Sequence, residues 1–147
     1  MTEATADLKT GESMATLTVK GAALDIEGIS QNLGIVPSHT HRAGDRVFKT
    51  ASDRRYDHDM WSFSSGLART ESFDAHLKWL AQQLRPHHGF IRALKDVAEV
   101  YIVCSYIMLD WEAVVSVSSE ALAIFTELGI DLDLSLLVVG SDRNKSK

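Results

Sequence analysis

The chain has 147 residues and a single cysteine; 45% of its residues are hydrophobic and 24% are charged. This length suits one ordinary domain, and this composition is that of a globular protein, which excludes a disordered or fibrous chain. One cysteine excludes an intramolecular disulfide framework and multi-cysteine metal cages, and the net charge of −5 argues against a general nucleic-acid binder.

Both ends of the chain are predicted to lie outside the folded domain. Residues 1–14 are polar and lack the apolar segment of a secretory signal, and residues 140–147 are small or charged. No apolar run reaches the length of about 20 residues that a membrane span needs. We therefore expect a disordered polar N-terminus, a single domain over residues 15–139 and a flexible tail, in a cytoplasmic protein without membrane contact.

The first predicted elements are a strand and a short helix. Residues 15–20 alternate apolar and polar side chains, which is typical of a strand with one buried face. Asp25 is a predicted N-cap for a helix that runs through Asn32, and Gly34 is placed to end that helix. The polar residues 38–59 have no sustained period and are predicted to form a long loop, of the kind that is usually functional or mobile.

A tryptophan strand and two helices are predicted next. Residues 60–64 favour a strand that turns Trp61 and Phe63 towards the core. Ser72 is a predicted N-cap for an amphipathic helix, and a shorter helix is predicted around residues 90–94.

Two further strands, a helix and a last strand complete the prediction. Residues 99–109 are β-branched, aromatic and apolar on both faces, which indicates a central strand covered on both sides. Residues 113–117 are predicted to pair with it antiparallel, and a helix capped by Ser118 or Ser119 is predicted to end at Gly129. Side chains alternate again over the last strand, and four of them are predicted to face the core: Leu132, Leu134, Leu136 and Val138.

This order of short elements favours an α+β fold, with an antiparallel or mixed sheet, helices mainly on one face and a ferredoxin-like arrangement. A strand, a helix and the tripeptide Leu-Gly-Ile occur over residues 17–35 and again over residues 114–130. The repeat indicates either a pseudo-duplication of two βα units or only a common way of ending a helix with glycine.

The polar loop contains the candidate metal ligands. His39 and His41 share one face of an extended segment, so both rings could reach one ion. Their spacing matches no known metal signature, and histidines in polar loops are usually only solvated, so no metal is predicted. The other side chains that could complete such a site are Asp45, Asp57, His58 and Asp59.

The arginines of the same loop could bind a carboxylate or a phosphate, but pairing with the loop's own aspartates is the favoured interpretation. No catalytic residue and no cofactor are predicted. Cys104 lies in an apolar run, where burial raises the pKa of a thiol and makes it inert. Residues 110–133 contain several acids and no Lys or Arg, which indicates either a solvated face or a patch for basic partners. Trp111 in this stretch is a candidate interface anchor.

Three short motifs occur in a fixed order along the chain: Leu33-Gly34-Ile35-Val36-Pro37, Arg42-Ala43-Gly44-Asp45 and Trp61. With the strand before them and the amphipathic helix and strand–helix–strand half after them, they resemble the bacterial family called domain of unknown function 4279. The resemblance covers about residues 15–139, although no closing aromatic follows Asp131-Leu132-Asp133. It implies no reaction, because the family has no established activity, but it implies a shared structural or ligand role for the loop motif and Trp61.

We therefore expect a small binding or interaction domain that is not an enzyme, with four ligand-binding residues: His41, Arg42, Asp45 and Trp61. The expected partner is a protein, with toxin neutralisation by an immunity-type protein as one context, or a small polar ligand, and no nucleic acid. A second copy could cover the partly apolar second face of the sheet, formed by Tyr101, Val103, Ile107 and Val115. The alternative is a small hydrolase or metal-dependent enzyme that uses the loop from His39 to Asp59.

Overall fold

A computed structural model of the chain describes residues 11–47, 53–108 and 113–139. These residues form one five-stranded mixed sheet with helices, so the α+β prediction is confirmed. The strands are β1 (Glu12–Gly21), β2 (His39–His41), β3 (Asp59–Ser64), β4 (Glu99–Met108) and β5 (Asp131–Val138). The helices are α1 (Ile26–Leu33), α2 (Phe73–Leu84), α3 (His88–Leu94) and α4 (Ser119–Leu128), with a 3₁₀ turn over Arg85–His87.

The strand order across the sheet is β2-β3-β1-β4-β5. β1 is antiparallel to both β3 and β4, and β2 is antiparallel to β3. β5 is parallel to β4, which it reaches through the crossover helix α4. β5 therefore lies at one edge of the sheet and has a strand on one side only among the described residues.

The hydrophobic core lies between one face of the sheet and the helices, and we call this face the helix side. Leu17 of β1 is fully buried opposite Ile102 of β4, and Val19 is fully buried opposite Trp61 of β3. These side chains belong to the same buried cluster as the apolar stripes of all four helices, including Ile29, Leu33, Leu77, Leu80, Ile91, Leu94, Ile124 and Leu128.

The opposite face of the sheet, which we call the open side, has no helix over it in the described part of the chain. It carries the polar rows of β1 and β3, such as Thr16 opposite Ser64, whose hydroxyls are 2.8 Å apart. The side chains of Tyr101 and Val103 on β4 also point to this side and are half-buried. The prediction that β4 is covered on both sides is therefore wrong for the residues described.

The predicted helix starts and stops are confirmed. The side chain of Asp25 accepts a hydrogen bond from Gly28 N, and Ser118 Oγ accepts one from Ala121 N. Gly34 and Gly129 both end a helix in the left-handed conformation, with φ of 63° and 65°, which glycine adopts without steric cost. The two Leu-Gly-Ile tripeptides thus share a helix ending.

Three predicted features of the second half differ in the structure. Residues 113–117 form no strand, so the strand that precedes α4 is β4, and the second βα unit is not the one the repeat suggested. Val115 lines a groove on the helix side, away from Tyr101, and does not belong to the open side. At the other end, β1 begins at Glu12, earlier than the predicted Ala15.

The prediction that the apolar row of β5 is buried is wrong. Leu134 and Leu136 do point to the helix side, next to Cys104 and Tyr106 of β4. However, the helices do not extend over this edge of the sheet. The exposed fractions of the row are 37% for Leu132, 62% for Leu134, 60% for Leu136 and 38% for Val138.

Candidate functional site

The predicted loop of residues 38–59 is attached to the sheet at both ends. It begins with β2 and returns through an isolated antiparallel bridge between Arg46 and Arg55. Backbone hydrogen bonds from Gly44 N to Tyr56 O (2.8 Å) and from Tyr56 N to Asp45 O (3.0 Å) join its two branches. The described branches therefore form a hairpin-like unit, whose tip at residues 48–52 lies outside the described residues.

Asp59, at the start of β3, connects this loop to the rest of the domain. Its buried carboxylate accepts hydrogen bonds from Ala43 N at 2.8 Å and from Leu24 N at 2.9 Å, and lies 3.2 Å from the guanidinium of Arg42. The two backbone donors, with a further contribution from Arg42, lower the pKa of Asp59 below its ordinary value. A charged carboxylate thus ties the 42–45 turn to the segment that leads into α1.

Two of the predicted ligand residues, Arg42 and Asp45, make hydrogen bonds within the loop and its support. The Asp45 carboxylate accepts from Arg42 N at 2.8 Å, which closes the turn around Gly44. The Arg42 guanidinium also donates to Leu24 O at 2.7 Å, although about half of its side chain remains exposed. Their ligand-binding role stays a prediction, and in this structure both side chains stabilise the turn.

A third predicted residue, His41, lies in a cluster of aromatic rings on the open side of the sheet. Its ring stacks on Tyr56 with 3.5 Å between centroids, and its Nδ1 is 3.0 Å from His39 Nε2. His58 lies edge-on at 5.2 Å. Burial, together with the nearby rings of His39 and His58, lowers the pKa of His41. The Nε2 atoms of His41 and His58 are buried and have no hydrogen-bond partner among the described residues.

The fourth predicted residue, Trp61, is fully buried in the core. Its indole Nε1 donates to Ser30 Oγ on α1 at 2.9 Å, and its ring packs against Phe63. The structure thus brings His41, Arg42 and Asp45 together around the loop, with Trp61 below them on the helix side. A ligand at the loop surface would not touch the Trp61 ring in this arrangement.

Among the described residues, no group of three or more His, Cys, Asp or Glu side chains has the geometry to hold a metal ion. His39 and His41 are brought together as predicted, but Asp57 pairs with His58 and Asp59 faces Arg42, Ala43 and Leu24. The ion pair between Arg46 and Asp53 shows the self-pairing favoured for the loop.

Two buried titratable groups lie away from the loop. Burial raises the pKa of the Cys104 thiol to about 12, the direction expected for a cysteine in an apolar strand. His76 on α2 is fully buried, with Nδ1 2.7 Å from Ser65 Oγ and Nε2 unpartnered within the described ranges. Burial also lowers the pKa of His76.

An apolar groove that the sequence did not predict lies on the helix side between β5, α2 and residues 113–117. Its volume is about 300 Å³, and its walls include Phe73, Leu77, Tyr106 and Val115. Leu132, Leu134 and Leu136 of β5 form its outer wall. The run Leu136-Leu137-Val138-Val139 was the available signal, because it is apolar on both faces of the strand and interrupts the predicted alternation.

The acidic side chains of residues 110–133 have two kinds of surroundings among the described residues. Glu120 and Glu127 form ion pairs with Lys78 and Arg85 of the preceding helices. The side chains of Asp131 and Asp133 point to the open side of β5 and are exposed. Asp110, Trp111 and Glu112 lie outside the described residues, so the interface role of Trp111 stays a prediction.

None of the described helices has the length and apolar character needed to cross a membrane.

Comparison with known proteins identifies the family of this chain but no activity. No curated protein and no solved structure matches the chain. The model of the family called domain of unknown function (DUF4279) matches residues 10–139, which is most of the chain and includes the loop, the tryptophan strand and β5. The chain therefore belongs to the DUF4279 family.

Proposed function

We propose that this chain is a protein-binding domain and that it binds through the β5 surface, by which we mean the helix-side residues Leu132, Leu134, Leu136 and Val138 with the outer backbone edge of β5. The observation that carries the proposal is the exposure of these side chains on an edge strand. Long apolar edge strands pair readily with other chains, and exposed apolar patches on folded domains mark interaction sites.

The shape of this surface favours strand addition. The outer N–H and C=O groups of an edge strand can form a ladder with an extended segment, while pockets for alternate side chains give specificity. The groove of about 300 Å³ beside β5 supplies such a pocket on the helix side. On the open side, Asp131 and Asp133 supply negative charge, which disfavours partners with acidic side chains at the matching positions.

A toxin-neutralising, immunity-type role is one form of this proposal. The partner would then be a toxin that contributes an extended segment to β5. Binding at the β5 surface requires only backbone pairing and apolar contact, so the proposal does not depend on an immunity-type role. The identity of the bound protein decides whether the chain has that role.

The test is cross-linking inside the host cell. A photoreactive phenylalanine analogue replaces Leu136, and in a control chain it replaces Val36. Val36 is 86% exposed and lies just before β2, the strand at the opposite edge of the sheet from β5. We expect a cross-linked protein, identified by peptide mapping, at position 136 only. The additional substitution Leu134→Glu should abolish it, because it places a charge in the apolar groove. Absence of any adduct at position 136, or an adduct insensitive to Leu134→Glu, contradicts the proposal.

A second candidate function is binding of a small polar ligand at the histidine cluster. The specific observation in its favour is the pair of buried Nε2 atoms on His41 and His58 that have no partner in the described part of the chain. Buried polar atoms normally have a partner, so a bound polar group at this place would satisfy them. Arg42 and Asp45 would hold the adjoining turn in position.

Thermal unfolding with added inorganic phosphate or Zn²⁺ tests this second function, and the Zn²⁺ arm also tests the alternative of a metal-dependent enzyme. The variant His41→Phe keeps a ring to stack on Tyr56 but removes both nitrogens. We expect at least one probe to raise the Tm of the wild type and not that of the variant. Equal responses of the two proteins, or none, contradict it.

A further inference from the structure

The outer edge of β5 is uniform over its whole length. Its inner edge pairs with β4 from Asp131 to Val138, and a further hydrogen bond from Val139 N to Met108 O (2.9 Å) extends the ladder by one residue. No bulge or proline interrupts residues 131–139. The available edge is therefore a regular ladder whose middle residue is Ser135.

We propose that a second copy of this chain pairs with β5, antiparallel and with Ser135 opposite Ser135 of the partner subunit. This inference rests on the proposed function, since it names the protein that occupies the β5 surface. The partner surface is then the same strand, as in the isologous interfaces of most homodimers.

Symmetry restricts how two copies of one strand can pair. A two-fold axis that relates antiparallel neighbours within one sheet stands normal to that sheet, so both subunits keep their helices on the same side. Directly opposed residues of antiparallel strands also share a side. Helix-side residues must therefore face helix-side residues, and the register centred on Ser135 satisfies this while pairing the full ladder.

In this register the apolar row of one subunit meets the apolar row of the other. Leu134 faces Leu136 of the partner subunit, and Leu132 faces Val138 of the partner subunit. These are the exposed side chains of the β5 surface, and no described helix or strand covers them. Apolar pairs directly across a ladder stabilise it, and here the two grooves join into one continuous apolar surface.

The same register separates the charges of β5. Its acidic side chains, Asp131 and Asp133, both lie in the first half of the strand. Antiparallel pairing places Asp133 opposite Leu137 of the partner subunit, so the two copies of Asp133 lie about 14 Å apart at the strand rise. No acid faces an acid, although each chain carries a net charge of −5. A register centred on Asp133 would oppose like charges directly, which destabilises a strand pair.

Disulfide trapping tests the register with the purified full chain. Directly opposed residues have Cα atoms about 4.5 to 5.5 Å apart, within the range that a disulfide spans. We expect Ser135→Cys to form a covalent dimer under mild oxidation and Asp131→Cys to form none, because the two copies of residue 131 lie about 27 Å apart. The double variant Asp133→Cys/Leu137→Cys should also cross-link. The native Cys104 is buried and gives a low background.

Sedimentation then tests the association itself. The wild type is expected to have twice the chain mass of 16.2 kDa. Leu134→Glu/Leu136→Glu should sediment as a monomer, while Val36→Glu/Val97→Glu, which adds the same charge at other exposed apolar positions, should remain a dimer. A wild-type monomer at chain concentrations up to about 100 μM overturns the inference. So does a dimer that Ser135→Cys fails to trap.

These results separate the inference from the proposed function. If the wild type is a monomer but position 136 cross-links a different protein in cells, the β5 surface binds proteins and only the identity of the partner is wrong. If the dimer persists in Leu134→Glu/Leu136→Glu and position 136 gives no adduct, both proposals are wrong.

Discussion

The carboxylate of Asp59 accepts a hydrogen bond from the backbone N–H of Ala43 at 2.8 Å, although the two residues are 16 positions apart. This bond fixes the 42–45 turn to the first residue of β3. Since Leu24 N donates to the same carboxylate, one side chain holds both the loop and the segment before α1. The 42–45 turn is thus part of the structural support of the domain.

Asp59→Ala is expected to lower the Tm by about 4–8 °C, because the backbone N–H groups of Leu24 and Ala43 lose their acceptor at a buried position. Asp59→Asn keeps one carbonyl oxygen and should lower the Tm less. Thermal unfolding followed by circular dichroism measures both. An unchanged Tm in Asp59→Ala would show that the turn does not depend on this carboxylate.

Local sequence patterns predicted the elements because local forces set them. Side-chain oxygens of Asp25, Ser72 and Ser118 cap the helices that follow them, and the αL positions fall on Gly34 and Gly129. The role of Asp59 could not be predicted in this way. Its hydrogen-bond partners come from separate segments, and nothing in the spacing of an acid along the chain shows which backbone donors will face it.

The exposure of β5 could not be predicted for a related reason. Alternation shows which side of a sheet Leu134 faces, but whether a helix extends over that position depends on the lengths and angles of elements elsewhere. The pattern of β3 correctly predicts that Trp61 faces the core, whereas its ligand role is an expectation from the family resemblance, which implies a shared role for Trp61 and the loop motif. In the structure it hydrogen-bonds Ser30 on the opposite side of the sheet from His41.

The stability of the domain should fall as the pH decreases from about 4 towards 2 through the titration of Asp74. Hydrogen bonds from Ser118, together with Lys78, lower the pKa of this carboxyl to about 2. A group whose pKa is lowered in the folded state stabilises the fold above its unfolded pKa, and this contribution is lost as the pH falls through the folded pKa. Acid unfolding of Asp74→Asn should therefore show a shallower pH dependence over this range.

The matched control for this titration is Asp25→Asn, which removes the exposed carboxylate that caps α1 and leaves the contact between α2 and α4 unchanged. The contact at issue joins Asp74 Oδ1 to Ser118 N at 2.7 Å. The stability of each variant is compared with that of the wild type between pH 4 and pH 2. If Asp74→Asn follows the wild type as closely as Asp25→Asn does, the Asp74–Ser118 bond does not cause the pH dependence.

A second loss of stability is expected as the pH falls below about 6.5, from His41 and His76. Burial is the largest cause that lowers the pKa of each, so the folded state disfavours their charged forms. Their contribution is complete above the unfolded pKa and decreases as the pH falls towards the folded one. His76→Gln removes one titration and should flatten the dependence of the Tm on pH between about 7 and 5. The control substitution is His88→Gln, at an exposed site.

The role of Trp61 can be separated from ligand binding through its partner on α1. Trp61→Ala is expected to lower the free energy of unfolding by about 3–5 kcal/mol, because it removes a fully buried aromatic ring. Ser30→Ala removes only the acceptor of the indole N–H and should cost about 1–3 kcal/mol while leaving every side chain of the loop in place. Urea unfolding measures both, and the thermal shift with phosphate or Zn²⁺ is recorded on Ser30→Ala beside the wild type. A Trp61→Ala chain that unfolds at the wild-type urea concentration, yet no longer responds to a probe that the wild type binds, would assign the indole to a ligand and remove it from the core.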